Sequence, residues 1–217
     1  MPRARLAGRN LLAAVAATLT LLGTGTADAQ QTDDERRCTG RAAVSAQMQA
    51  EACTALNGSC RHSAQNLAIV HFNRGIAYGK TGDFDRAIAD FDAAIGISPN
   101  HLRAHLNRGN VWRNKGKFDH AIEDYDKAIA LAPDFALAFY SRAQANYLAG
   151  RIPDALADAD KAARLNPGAA SAVSLRGLIQ EKLGARAAAI ADFQRAHALD
   201  PRLQQPADGL RRLGAVP

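Results

Sequence analysis

From Gly82 to Asn100 the chain reads GDFDRAIADFDAAIGISPN, with Phe84, Ala87, Ile88, Phe91, Ala94 and Ile95 spaced three or four residues apart. Asp83, Asp85, Asp90 and Asp92 fall between them, as on the solvated side of an amphipathic helix. The same phrase returns as GKFDHAIEDYDKAIALAPD from Gly116 to Asp134. The period is strict, and the evenly spaced Pro99, Pro133, Pro167 and Pro201 mark it four times. Four units follow from that spacing: 68–101, 102–135, 136–169 and 170–203.

Each recurring position has a mechanical reading. Gly82, Gly116, Gly150 and Gly184 stand where one helix stops and the chain turns. Gly75, Gly109, Ala143 and Gly177 on the first helix, and Ala87, Ala121, Ala155 and Ala189 on the second, let two antiparallel helices approach closely. The prolines remove an amide and end the second helix. Asn100 and Asp134 are candidate caps for the helix that follows. Each unit is therefore expected to be helix–turn–helix, unable to bury its apolar face alone and stable only when stacked.

Aromatic residues near the eleventh position (Tyr78, Trp112, Tyr147) and at the twenty-fourth (Phe91, Tyr125, Phe193) complete the pattern, with alanine at the twenty-seventh. This pattern resembles the tetratricopeptide repeat. The resemblance implies an all-α fold: an α-solenoid of four helix-turn-helix repeats, with an N-terminal helical segment and a short C-terminal capping helix. Gln180 and Arg186 break the pattern in unit four, and Ala159 breaks it in unit three. Those two units are expected to pack less tightly.

An arginine stands at the seventh position of every unit (Arg74, Arg108, Arg142, Arg176) and an aspartate at the twenty-third (Asp90, Asp124, Asp158, Asp192). The reading is an ion pair between the helices of each unit, which makes these scaffold residues.

The resemblance also implies that the first helices line a concave surface for an extended peptide or a partner helix. By position, that surface takes Ile69, Phe72, Asn73, Ile76 and Lys80 from unit one. Unit two supplies Arg103, Leu106, Asn107, Asn110, Arg113 and Asn114. Leu137, Tyr140, Ser141, Gln144 and Leu148 follow from unit three, and Ser174, Leu178, Glu181 and Lys182 from unit four. The predicted partner-binding set is Asn73, Arg103, Asn107, Asn110, Arg113, Asn114, Tyr140 and Gln144, since amides both donate to and accept from a peptide backbone. The carboxylate clamp of chaperone-tail binders needs lysine and asparagine at the fifth and ninth positions of the first unit. Phe72 and Ile76 stand there instead.

Residues 30–67 form a separate segment, with a helix expected from about Arg41 to Leu56 and a turn at Asn57, Gly58 and Ser59. A cysteine followed by an "ACT" helix resembles the N-terminal part of exported bacterial tetratricopeptide proteins. Of the three cysteines, Cys38 and Cys53 are the first choice for a disulfide, with Cys38–Cys60 and Cys53–Cys60 as alternatives. After the repeats, residues 204–217 form a cap, a short helix following Pro206 whose Leu210 and Leu213 cover the last repeat.

Residues 1–29 read as a Sec signal peptide: Arg3, Arg5 and Arg9, an apolar run from Leu11 to Leu22, and small residues before Gln30. Export to the periplasm, or on to the medium, is the expectation, with no stable membrane insertion after cleavage. Losing three arginines and Asp28 lowers the net charge from +6 to +4. The basic residues are dispersed, which argues against nucleic acid as a partner.

Catalytic motifs are few. His101 and His105 have the i, i+4 spacing of a metal pair, but no third ligand is placed by sequence, and His105 is read as packing between helices. The expectation is a non-catalytic scaffold without metal or cofactor, holding a protein or peptide partner. A homo-oligomer joined through Cys60 or the fourth unit is compatible with it. An envelope metal- or glycan-binding protein, or an enzyme accessory subunit, is the alternative.

Overall fold

A computed structural model describes residues 30, 32–58 and 64–216, so the expected signal peptide and Cys60 lie outside the described residues. The described residues form helices and no strand. Helix α1 includes residues 32–38 and is followed by α2 (Ala46–Asn57). Four pairs come next: α3 (Ala64–Thr81) with α4 (Phe84–Ile97), α5 (Leu102–Asn114) with α6 (Phe118–Leu131), α7 (Ala136–Leu148) with α8 (Ile152–Leu165), and α9 (Ala170–Lys182) with α10 (Arg186–Leu199). A final helix, α11 (Gln204–Arg212), closes the chain.

The turn within each pair is set by one glycine. Gly82, Gly116, Gly150 and Gly184 have φ between 73° and 80°, a region where a Cβ is strained. A second set of glycines works by absence of volume. A Cβ on Gly75 would lie 2.9 Å from the Phe91 ring, and one on Gly109 would lie 2.7 Å from Tyr125. For Gly177 the distance to Phe193 is 3.0 Å. In units one, two and four a buried aromatic on the second helix thus packs directly against a glycine on the first. Unit three replaces both members with alanine. Ala143 and Ala159 are fully buried, and Leu175 and Ile179 of the next unit complete their cluster. The missing aromatic leaves no exposed gap there. In unit four, Gln180 Oε1 and His197 Nδ1 are buried with no hydrogen-bond partner among the described residues, the signs of looser packing there.

Several helix starts differ from the sequence reading. The cap of α5 is His101, whose Nδ1 accepts from the Ala104 amide, and not Asn100. Phe135, not Asp134, precedes α7 and makes no side-chain cap. Helix α2 begins at Ala46, later than Arg41, because the Ser45 hydroxyl accepts from the Met48 amide and sets the first turn. Helix α11 begins at Gln204, two residues ahead of Pro206, which sits inside its first turn where a missing amide is tolerated.

Both ends of the array are covered. Cys38 and Cys53 form a disulfide, tying α1 to α2, and both are fully buried beside Leu56 and Val70. At the other end Leu210 is fully buried against Phe193 and Ala189, with Leu213 beside them, as expected. Gly209 lets α11 come this close, since a Cβ there would fall 2.4 Å from the Phe193 ring.

Candidate functional site

The seventh-position arginines do more than pair within their units. Arg108 donates from Nε and Nη2 to Asp124 at 2.9 and 2.6 Å, and from Nη1 to Asp92 of the preceding unit. Arg142 repeats this with Asp158 and Asp126, and Arg176 with Asp192 and Asp160. Hydrogen bonding to the aspartates, chiefly the twenty-third-position one, holds all three guanidinium groups above their ordinary pKa. Each is therefore a charged staple spanning two units. The ladder stops at both ends. Arg74 donates to Asp90 and to the Thr54 hydroxyl of α2, since Gly58 stands where the preceding aspartate would be. Gln194 and Leu210 stand where the next aspartate and arginine would continue it. The staples are scaffold, as expected; Asp92, expected on a solvated helix face, is part of one, as are Asp126 and Asp160 of the others.

With the pairs stapled, their tilt decides which side is concave. Helices α3, α5, α7 and α9 touch in succession, while among the described residues α4, α6, α8 and α10 do not touch one another. First helices therefore form the inner face. On α7, Leu137, Tyr140, Gln144 and Leu148 share one side of the helix by their spacing. Leu137 and Leu148 are about half exposed, at 48% and 56%, and Ile69 at the start of the face is 43% exposed.

The polar residues expected on this face divide into two kinds. Arg103 and Asn114 are exposed, and Asn73 is half-buried. The others are engaged internally. Asn107 Nδ2 donates to the Arg103 carbonyl at 2.7 Å on its own helix. Asn110 Oδ1 accepts at 2.8 Å from the hydroxyl of the buried Tyr125. Arg113 crosses from α5 to α7 and donates to Gln144 Oε1, while Gln144 Nε2 donates to the Tyr140 hydroxyl at 2.8 Å. Burial raises the Tyr140 pKa above its ordinary value, opposed by the Arg113 charge and by hydrogen bonds with Ser171 and Gln144. Arg113, Gln144 and Tyr140 are thus one connected group in the middle of the face.

Three residues assigned to the face by position are not on it. Leu106, Ser141 and Ser174 are buried. Leu106 packs with Ala121 and Tyr125 of α6 and Ala138 of α7, and Ser174 is covered by α11, donating to Gln205 at 2.9 Å. Phe72 and Ile76 pack against the cluster of Ala87, Phe91 and Val111, so the clamp positions hold core side chains. The sequence reading also missed Arg212. It arrives from α11, pairs with Glu181, and closes a depression of about 430 Å³ lined by Tyr147, Leu178 and Lys182.

The histidine pair is used otherwise. His101 caps α5 and packs against Phe72, with ring centroids 4.8 Å apart and the planes tilted by 34°. His105 is buried between helices, its Nδ1 3.3 Å from Asp124 and its Nε2 2.9 Å from the Pro99 carbonyl. Among the described residues no group of three His, Cys, Asp or Glu side chains is placed to hold a metal. No described helix is long and apolar enough to cross a membrane.

Comparison with known proteins agrees with this geometry. No curated protein matches the chain in sequence. Among solved structures, MamA (residues 41 to the end) from Desulfovibrio magneticus RS-1 superposes with a TM-score of 0.69 at 20% identity, over 81% of this chain and 95% of that one. The first repeat domain of Spaghetti (RPAP3), bound to the HSP90 peptide SRMEEVD, gives 0.54 at 24% identity, over 58% and 99%. The Arabidopsis OM64 repeat domain gives 0.51 at 26% identity, over 52% and 93%. The tetratricopeptide repeat family model matches residues 72–134, 113–170 and 140–203, more than half of the chain. The chain belongs to the tetratricopeptide repeat family.

Proposed function

We propose that this protein is a non-catalytic scaffold of the cell envelope that holds a peptide or protein segment against its inner face. The observation that carries the reading is the exposure of Ile69, Leu137 and Leu148 on a face whose helices are locked from behind by the arginine staples. Large apolar side chains held rigidly at a solvent boundary favour a partner that covers them. The RPAP3 domain holds a peptide, as its structure records. Here the fifth and ninth positions of unit one are packed in the core, so the contact centre shifts to units two and three.

The test is a triple variant, Arg103→Ala, Asn114→Ala and Leu137→Ala, all exposed positions. Cross-linked capture of partners from an envelope fraction is lost while the thermal unfolding midpoint stays within about 2 °C of wild type. Undiminished capture overturns the assignment. Asn110 is left intact, because its replacement strands the buried Tyr125 hydroxyl and confuses binding with stability. The envelope location rests on the leader-like character of residues 1–29. N-terminal sequencing of the periplasmic protein is expected to begin near Gln30, and a cytosolic chain starting at Met1 refutes it.

A further inference from the structure

The charges of the array are sorted by layer. Across α3, α5, α7 and α9 a single carboxylate occurs, Glu181, and it is paired with Arg212. Almost all the acids of the four pairs lie on α4, α6 and α8, and those not in the ladder, such as Asp85 and Asp119, point away from the inner face to pair with Lys115 and Arg151. The inner-face cations behave differently. Lys80, Arg103 and Lys182 are exposed, and no described carboxylate pairs with them or with Arg113. Arg113 is half-buried, and its only described side-chain partner is the neutral amide oxygen of Gln144. A guanidinium withdrawn from water and given no anion is costly unless an anion arrives from outside. The other half-buried guanidinium groups of the array, Arg74, Arg108, Arg142 and Arg176, each have an aspartate. Arg113 stands apart from them, on the same face as Arg103 and next to the apolar strip of α7.

We propose that the segment held by this face is acidic, with carboxylates against Arg103 and Arg113 and apolar side chains against Leu137, Tyr140 and Leu148. This deepens the scaffold reading and rests on it. Complementary charge on a rim chiefly selects among partners and speeds encounter, and the apolar strip then retains the right one.

The probe is a library of random twelve-residue peptides displayed on phage and selected on the full-length mature protein. Four targets are compared: wild type, Arg103→Glu, Leu137→Glu, and Lys127→Glu as a control on the exposed side of α6. Asp and Glu are expected to rise about twofold over the unselected library on wild type and on the control, and to return to the library frequency on Arg103→Glu. A synthetic acidic peptide from the wild-type selection then binds Arg103→Glu about three- to tenfold more weakly, the difference shrinking in high salt. Selected peptides without an acidic bias, still lost on Leu137→Glu, overturn the acidic partner and leave the inner-face site standing. Acidic peptides that survive both inner-face variants place the anion site elsewhere and overturn it too. An absence of enriched peptides on wild type removes both readings.

Discussion

Replacing Gly109 with alanine separates two effects of opposite sign. Alanine in the interior of a helix is favoured over glycine by about 1 kcal/mol. At this site, however, the added Cβ would lie 2.7 Å from Tyr125 Cε1 and 3.2 Å from the Ala121 carbonyl oxygen. Tyr125 is wholly buried, so its ring cannot swing into solvent. Overpacking of this kind costs about 1–3 kcal/mol, which offsets the helix gain and leaves a net loss of up to about 2 kcal/mol. Tyr125→Ala alone removes about 3–5 kcal/mol. In that background the clash with the ring is gone and only the 3.2 Å approach to the Ala121 carbonyl remains, so Gly109→Ala should stabilise by up to about 1 kcal/mol. The double variant reproduces the Ala143/Ala159 pair of unit three, where alanine already stands at both positions. A double-mutant cycle followed by urea unfolding should show a coupling of about 1–3 kcal/mol and a change of sign. If Gly109→Ala stabilises the wild type, or shifts both backgrounds alike, the close approach of glycine and ring does not govern this position.

The arginine staples make unequal bonds, so Asp124→Asn should lower stability by about 3–5 kcal/mol because Asp124 is buried, while Asp92→Asn, with an exposed side chain, changes it by less than about 1 kcal/mol; equal losses in urea unfolding refute the ranking. Burial raises the pKa of Tyr125 above the ordinary phenol value, so below that value both folded and unfolded chains hold the proton and stability is insensitive to this group. Above about pH 10 only the folded state keeps it, and stability falls with rising pH; Tyr125→Phe should flatten that decline between about pH 9 and 11 in urea titrations. Reducing the Cys38–Cys53 bond, which spans 15 residues, should remove about 3 kcal/mol of loop-closure stabilisation. Hydrogen exchange should quicken in residues 32–57 and remain unchanged in α7 and α8; a uniform response across the chain contradicts a disulfide that secures only the N-terminal end.

What could be read from sequence was whatever one residue decides alone. A glycine that must take positive φ, a small residue under a ring and a proline that ends a helix recur once per unit because each unit meets the same local demand. The arginine and aspartate columns were visible for the same reason. The third member of each staple was not, since Asp92 and Arg108 meet across a boundary between units and neither helix alone shows it. Caps failed for a related reason. Asn100 has the right side chain, but the backbone turns one residue later, at His101, and donor geometry then selects the imidazole. Leu106, Ser141 and Ser174 were misplaced because a helical wheel treats each helix as isolated. Their burial depends on how far one pair is rotated against the next, a property of the stack.

That distinction also bears on where recognition resides. The residues shared by all four units serve the interior: the glycine turns, the alanines of the helix crossings and the arginine–aspartate columns are occupied by one another. They fix stiffness and curvature and say nothing about a partner. Positions that vary between units include the second, ninth and thirteenth, where Ile69, Arg103 and Leu137, then Ile76, Asn110 and Gln144, then Lys80, Asn114 and Leu148 follow one another in the first three units. A repeat under only structural demand has no reason to place an arginine between two aliphatic residues in one column. On the proposed scaffold reading, an extended segment crossing the stack meets one unit after another, so each unit can contact a different side chain of it. The staples behind hold those contacts in register, and the order Ile69, Arg103, Leu137 then fits a segment with an acidic residue between two apolar ones.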